Sequence, residues 1–543
     1  MALISGAEIL VAMLRREGVE VVFGLPGVQI MDAIDAIYRD GAIRWISTRH
    51  EQTAAYMAYG YARTTGKIGV AMVLPGPGAL NTTAAIGTAY TASTPVLLIS
   101  GQIESFHLGY HRGVLHELDR QIDIFRQITK WSGRAAGVED IPALLGQALG
   151  HLRTGRPRPV ELEVPFDLWS QQADMSMPEV KINPPLLPEP AIVDKAADLL
   201  RRAVRPLIVA GSGATGAGVA TEIVRLAERL HAPVVMTTEG RGAIPPGHPL
   251  NAGNFTLWLN PAFAMADVIL AAGSRLRASG NSSLELRPEQ QLIRVEFGAD
   301  ELESRHRVDL DIKADVRTSL ATLERALAGP VSSRWQAHEI SRIKEQNRAR
   351  LQKAAPLQMA VIDAMRGTLP GDAIIVADIT NLGYWSDIAC PVERLRSYVD
   401  ASYFATLGFA FPTALGAKIG NPDRPVVVIC GDGGFPYASP ELATAVQEGI
   451  NVIVLLFTDN AYGTVTGIQR RQFGGRYVGN RLHNPDYVKF AEAFGAIGIR
   501  LSSHEELGGK LKWALGAKLP VIIEVPVPPL ETPWDTLLSK SGS

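Results

Sequence analysis

Residues 431–463, GDGGFPYASPELATAVQEGINVIVLLFTDNAYG, join an acidic glycine turn to a helical stretch, then a buried apolar strand, then a second polar turn holding Asp459 and Asn460. The preceding run 424–430, RPVVVIC, is short, apolar and β-branched. It predicts a strand inside a parallel sheet, ended at its carboxyl edge by Gly431-Asp432-Gly433-Gly434. Ligands of open α/β sheets bind at such edges. Glycines let backbone N–H groups approach phosphate oxygens, the following helix start adds partial positive charge, and Asp432 offers a hard oxygen to Mg2+. Residues 451–457, NVIVLLF, read as the next strand and carry Asp459 to the same edge, so two distant oxygen ligands are expected at one cation beside a diphosphate. A lone glycine turn after a core strand is ordinary; the second polar turn is what marks a site.

Outward from this stretch the same rhythm runs the length of the chain. Helical segments alternate with short β-branched strands at 69–74, 95–100, 206–210, 233–237, 268–272, 373–377 and 520–525, the pattern of doubly wound parallel-sheet α/β domains. Two stretches break it: the proline-rich, polar residues 171–190 and the charged, helical connector 330–356. They divide the chain into three α/β units, 1–172, 188–329 and 355–530, each of ordinary domain size. No short repeat or low-complexity tract is present.

Composition narrows the class. With 543 residues the chain exceeds one hydrophobic core. A net charge of −2 with 20% charged residues, and no run of Lys or Arg, leaves no footprint for nucleic acid. No apolar run reaches the length of a membrane span. The opening segment reads as an amphipathic helix leading to a strand, unlike a secretory signal. Two cysteines, Cys390 and Cys430, are too few for a disulfide framework or a thiolate metal site, so a cytoplasmic location is expected.

In the first unit, Thr48-Arg49-His50-Glu51-Gln52 follows a predicted strand at 43–46 and opens a helix, placing Glu51 at a strand-to-helix junction where the macrodipole favours a carboxylate in any protein. The segment 50–81, HEQTAAYMAYGYARTTGKIGVAMVLPGPGALN, resembles the part of thiamine diphosphate (ThDP) dependent 2-oxoacid enzymes that holds their activating glutamate. It is most similar to acetolactate synthase catalytic subunits. LGFAFPTALGA at 407–417 and HNPDYVKFAEAFGAIGIRL at 483–501 agree with it, and the turns at 431–434 and 459–463 match the family's diphosphate motif.

The resemblance implies a pyrimidine-binding, a central and a diphosphate-binding domain in that order. It assigns Glu51 to the pyrimidine ring of the cofactor, Leu407 to the bulky side chain beneath its bend, and Gly431, Asp432, Gly433, Gly434, Asp459, Asn460, Ala461, Tyr462 and Gly463 to its diphosphate. Asp432, Asp459 and Ala461 become the Mg2+ ligands, and Pro26 and Pro77 lie against the cofactor. Gln29, in the loop Gly24-Leu25-Pro26-Gly27-Val28-Gln29, becomes a polar contact to the substrate. His116, in Leu115-His116-Glu117, becomes a proton relay or carboxylate partner, with His107 and His111 near enough in sequence to share the role and a solvated surface histidine as the plain alternative. The expected reaction is decarboxylation of a 2-oxo acid followed by carboligation, in a homodimer or homotetramer whose sites lie between subunits. A simple 2-oxoacid decarboxylase and a lyase of a 2-hydroxy ketone or 2-hydroxyacyl-CoA are the rivals within the class.

Three departures stand out. The family's metal-binding Asn is Asp459 here, and the acceptor-shaping tryptophan of acetolactate synthases is matched by Ile468. Gly211-Ser212-Gly213-Ala214-Thr215-Gly216 satisfies GxGxxG in form, yet the nearest acid, Glu239, lies far along for a ribose partner. FAD, held in this unit by acetolactate synthases, is therefore no better supported than a nucleotide-free middle unit. Where those enzymes carry a flavin-binding segment rich in Asp and Arg, this chain reads Gly273-Ser274-Arg275-Leu276-Arg277-Ala278. A NAD-dependent oxidoreductase built on the same turn would leave the first and third units unexplained.

Overall fold

The computed structural model describes residues 3–254, 260–276, 286–297 and 307–537. Their strands form three six-stranded sheets and one two-stranded pair, Ile4–Ser5 with Gln172–Ala173. Every ladder in the three large sheets is parallel. The first runs Arg44–Ser47, Val21–Gly24, Gly69–Val73, Val96–Gln102, Val160–Pro165, Trp131–Arg134. The third runs Tyr398–Val399, Ile374–Ala377, Val426–Gly431, Ile453–Thr458, Val521–Pro526, Ile497–Arg500. Counted in chain order within its unit, each reads second, first, third, fourth, sixth, fifth, so the two cofactor-type domains share one topology. The central sheet instead reads third, second, first, fourth, fifth, sixth, the order of dinucleotide-binding folds.

Strands such as Val426–Gly431 and Ile453–Thr458 are buried at every position. Helices cover both faces of a parallel sheet, which is why these strands are continuously apolar rather than alternating. The connector is the helix Ala337–Ala354, mostly polar as its composition requires. Residues 174–189 carry no helix or strand. Cys390 and Cys430 are both free and buried. No helix among the described residues is long and apolar enough to cross a membrane.

The first and third units meet through two helices, Glu51–Thr65 and Ala410–Gly420. Small and apolar residues surround each helix, so both can be buried nearly all round. Their backbones approach so closely that a Cβ on Gly60 would overlap the Thr413 carbonyl oxygen, and one on Gly416 would overlap that of Met57. Tyr56 and Phe409 pack edge to face at 6.1 Å, and one continuous apolar cluster runs from Phe23 and Tyr59 through Phe411 and Phe435 to Tyr487. Asn421 donates to the Thr64 hydroxyl at 2.9 Å, and Arg44 pairs with Glu448 at 2.8 Å at the margin.

Replacing Gly60 with alanine sets two effects against each other. Helix propensity gains about 1 kcal/mol. Overpacking costs about 1–3 kcal/mol when side chains can give way, and here the obstacle is backbone. The Gly60→Ala variant is therefore expected to unfold at lower urea concentration than the parent despite its better helix former; an unchanged or raised midpoint would show the crossing to be loose.

Candidate functional site

The strand Val426–Gly431 ends where the glycine turn begins, and the turn after Ile453–Thr458 comes back to it. Asp432, buried, accepts from the Asn460 backbone N–H at 2.8 Å and from the Asn484 side chain at 2.6 Å, both through Oδ2. Asn460 takes the left-handed conformation, φ +57°, common for asparagine, and its side-chain oxygen accepts a second Asn484 bond at 2.9 Å. Thus the two polar turns singled out from the sequence converge. Burial pushes the Asp432 carboxyl above its usual range; burial together with the Asp432 charge pushes Asp459 up to about 6. Paired, desolvated carboxylates of this kind suit a divalent cation, which removes the repulsion that raises them. The donor set present fits Mg2+.

A third loop completes the pocket, and sequence reasoning missed it. Asp378 follows the strand Ile374–Ala377, and its Oδ1 accepts the N–H groups of Ile379 at 2.8 Å and Gly408 at 3.3 Å. Its other oxygen is buried without a partner, and burial pushes the carboxyl up to about 7. Asp378 thereby ties this loop to the residue after Leu407. A cavity of about 230 Å3 opens here, lined by Thr380, Asn381, Leu407, Asp432, Gly433, Gly434, Asp459, Ala461, Tyr462 and Gly463. Thr380 and Asn381 are unassigned polar side chains in it, and Asn484 is a further one beside it. Asn484 lay inside a quoted sequence block, with no spacing to announce its partner.

Glu51 opens its helix, is 7% exposed, and packs against the segment 75–81, which holds one of its two carboxylate oxygens. Asn81 donates to Oε2 at 3.0 Å, and the Gly78 Cβ position lies 3.3 Å from Oε1. The third unit of the same chain holds the junction from behind: the buried Glu441 carboxylate accepts the Arg49 N–H at 2.8 Å. Gln29 is buried, donates weakly to the Leu115 carbonyl at 3.4 Å, and keeps its own side-chain oxygen without a partner. His116 sits in the same neighbourhood, its carbonyl over Gly76 and its Nδ1 buried and unpartnered. The His107 ring lies tilted at 54° against that of Phe106, 4.6 Å between centroids, while His111 is solvated and pairs with Asp119 at 3.1 Å. Pro26 and Pro77 are exposed on this face.

In the central unit the glycine turn follows Pro206–Ala210 at the switch point of its sheet, as the pattern requires. Its glycines serve close packing, however: the Gly213 N–H donates to the Gly273 carbonyl at 2.9 Å, and a Cβ on Gly213 would lie 2.8 Å from the Gly273 Cα. Glu239 reaches the turn, where its carbonyl accepts the Thr215 hydroxyl at 2.7 Å. Arg277 and Ala278 lie outside the described residues.

Sheets of this order and a carboxylate-rich pocket at their carboxyl ends define an enzyme that binds a diphosphate-bearing cofactor. The chain belongs to the thiamine pyrophosphate enzyme family: the models of its N-terminal TPP-binding domain, its central domain and its C-terminal TPP-binding domain match residues 4–124, 193–323 and 378–525. It is 34% identical over 532 residues to a probable 2-ketoarginine decarboxylase of Pseudomonas aeruginosa, covering 96% of this chain and 94% of that one. It is 32% identical to a probable acetolactate synthase large subunit of Methanocaldococcus jannaschii, covering 97% and 92%, and 31% identical to acetolactate synthase isozyme 3 large subunit of Escherichia coli, covering 95% and 93%.

The raised Asp378 carboxyl gives stability a pH dependence. A carboxyl that titrates at about 7 folded but near 4 unfolded holds its proton more tightly in the folded state, so folding stability falls as pH rises from about 4 to about 7. In cofactor-free protein, urea midpoints measured between pH 5 and 8 should decline. Asp378→Asn should flatten that decline without abolishing it, because Asp432 and Asp459 act with the same sign; an identical slope would place the titration elsewhere.

Proposed function

We propose that this protein is a ThDP- and Mg2+-dependent enzyme that decarboxylates a 2-oxo acid and transfers the remaining acyl unit to a second carbonyl, as acetolactate synthases do. The observation that carries the reading is Glu51: a buried carboxylate at the carboxyl edge of the first sheet, gripped at Oε2 by Asn81 and left open at Oε1 against a glycine. ThDP supplies a carbon nucleophile and an electron sink for the pair left by departing CO2. This chain supplies placement and protons. Glu51 Oε1 is the oxygen available to hold a proton on the pyrimidine ring. Asp432 and Asp459, with the Ala461 carbonyl, would hold Mg2+ against the diphosphate, and the N–H groups of the glycine turn would meet its oxygens. Leu407, lining the same pocket, would set the cofactor's bend. Gln29 and His116, each with a buried side-chain atom that lacks a partner, would serve the substrate.

The assembly belongs to this proposal. Val28, Phe106, Tyr110 and Leu115 are exposed on the first unit, and Tyr437, Ile468, Phe473 and Tyr477 on the third unit. Apolar surface of that extent calls for a protein partner, and a second copy of the chain would bring one unit's Glu51 to the other's diphosphate pocket. The oxo acid is the only other partner the reading needs, and a cytoplasmic location suits it.

Decarboxylation without ligation is the second reading. Two observations favour it: the relative named a probable 2-ketoarginine decarboxylase, and Ile468 where acetolactate synthases carry the acceptor-shaping tryptophan. The experiment is CO2 release from a panel of 2-oxo acids with ThDP and Mg2+, with assay of the organic product. A hydroxy-oxo acid supports ligation, an aldehyde the second reading. Glu51→Gln should lower CO2 release by about 10²–10⁴-fold; turnover equal to the parent would refute the assignment. Sedimentation should give a dimer or tetramer, with activity lost on dilution to monomers.

A further inference from the structure

We propose that Gln121 is a positioning residue for Glu51, acting through the turn Pro75-Gly76-Pro77. The inference rests on the assignment of Glu51 above. Glu51 is oriented by Asn81 and faced by Gly78, and both belong to the helix Pro77–Asn81, which at 5 residues is too short to hold its own direction. That direction comes from the turn before it. Two of the turn's three residues are prolines and carry no N–H, so Gly76 has the one backbone donor by which the turn can be tied from outside. Gln121 takes it: its Oε1 accepts the Gly76 N–H at 2.7 Å, in a site buried from water. Gly76 itself stands at φ +58°, ψ −115°, a conformation that glycine adopts without steric penalty, and a Cβ there would meet the His116 carbonyl oxygen at 2.7 Å.

The far end of Gln121 is anchored as firmly. Its Nε2 donates to Glu163 Oε2 at 3.0 Å, with the Gly101 carbonyl at 3.2 Å and the Ser100 hydroxyl at 3.3 Å. Glu163 is fully buried and is held in turn by Arg134 and by Gln102, which donates at 3.0 Å. Ser100 donates to Glu161, also fully buried, at 2.6 Å. A chain of buried hydrogen bonds therefore runs from the carboxyl ends of three strands of the first sheet, through one carboxamide, to the turn that aims Asn81 at Glu51. A carboxamide is the group that accepts at one end and donates at the other, as this place requires. Both ends of Gln121 are satisfied within this chain of bonds, and buried networks of this kind rigidify what they touch.

Three measurements test this. In the unmodified enzyme without cofactor, the Gly76 amide should exchange with deuterium as slowly as the amides of Val96–Gln102, although it lies in a loop; rapid exchange overturns the proposal without touching the assignment of Glu51. Gln121→Leu should speed exchange across 76–81 and lower kcat by about 10- to 100-fold with KM for the oxo acid nearly unchanged, the signature of a misplaced catalytic group. Gln121→Glu keeps the acceptor for the Gly76 N–H but turns its other oxygen against buried Glu163, so slow exchange and most of kcat should return only in the double variant Gln121→Glu/Glu163→Gln, which reverses donor and acceptor in that bond. A Gln121→Leu enzyme with parental kcat, or a Gln121→Glu/Glu163→Gln enzyme as impaired as Gln121→Leu, sinks the positioning role. In a Glu51→Gln background, Gln121→Leu should change the residual rate less than about twofold, because residues acting as a unit are non-additive. Parental turnover in Glu51→Gln alone would instead strike at the functional reading.

Discussion

The contact on which the rest depends is the backbone-to-backbone crossing of Glu51–Thr65 and Ala410–Gly420. Glycine at positions 60 and 416 lets the two helices approach within the reach of each other's carbonyls. Each helix begins at a candidate site residue: Glu51 opens one, and Leu407 and Gly408 lead into the other. Docking the helices therefore sets where the carboxyl edges of two separate sheets stand relative to each other. Glu441 reinforces it, reaching from the third unit to the backbone just ahead of Glu51. In the proposed dimer, where Glu51 of one copy faces the diphosphate pocket of the other, this joint would fix the spacing of the two half-sites that each chain contributes, and a misplacement of about 1 Å costs about 100-fold in rate.

Much of this was legible in local sequence. The continuous β-branched runs, the interruptions at 171–190 and 330–356, and the two polar turns at 431–434 and 459–463 each announce themselves within about ten residues, because buried parallel strands must be apolar on both faces and their ends must break. Asp378, Asn484, Glu441 and Gln121 were not legible. Each works only through a partner far along the chain: Gly408 for Asp378, Asp432 for Asn484, Arg49 for Glu441, Gly76 for Gln121. No periodicity or spacing rule links such pairs. The one local trace is the pair of prolines around Gly76, which tells that its N–H must find a partner without naming which.

The middle unit shows how little topology alone decides. Its sheet has the dinucleotide order and its glycine turn stands at the switch point, yet the turn closes on Gly273 instead of opening a phosphate cradle. Gly211 and Gly213 are glycines because two loops cross there, and that need is met whether or not a nucleotide is bound. In the third unit the corresponding edge is shaped differently: the pocket beside Gly433 is open, and carboxylates stand round it.

Those carboxylates raise an electrostatic question that the family's usual amide would not. An anionic diphosphate is to sit beside Asp432, Asp459 and Asp378, and Asp459 replaces a neutral side chain. Between unit charges 4 Å apart at an effective dielectric of about 20, each repulsion is worth about 4 kcal/mol, so the site would reject its cofactor if all three were ionised and unpaired. Two features prevent this. Asp378, pushed up to about 7 by burial and linked to the Ile379 and Gly408 amides, carries less than a full charge near neutrality. A divalent cation held by Asp432 and Asp459, as proposed above, would offset their two charges and so lessen their repulsion of the diphosphate. On that proposal the extra carboxylate at 459 would strengthen the hold on the metal and make cofactor binding depend on it more steeply than an asparagine would. Metal and cofactor affinity would then be coupled through one side chain, and the departure from the family pattern at that position would be a change in linkage instead of a lost ligand.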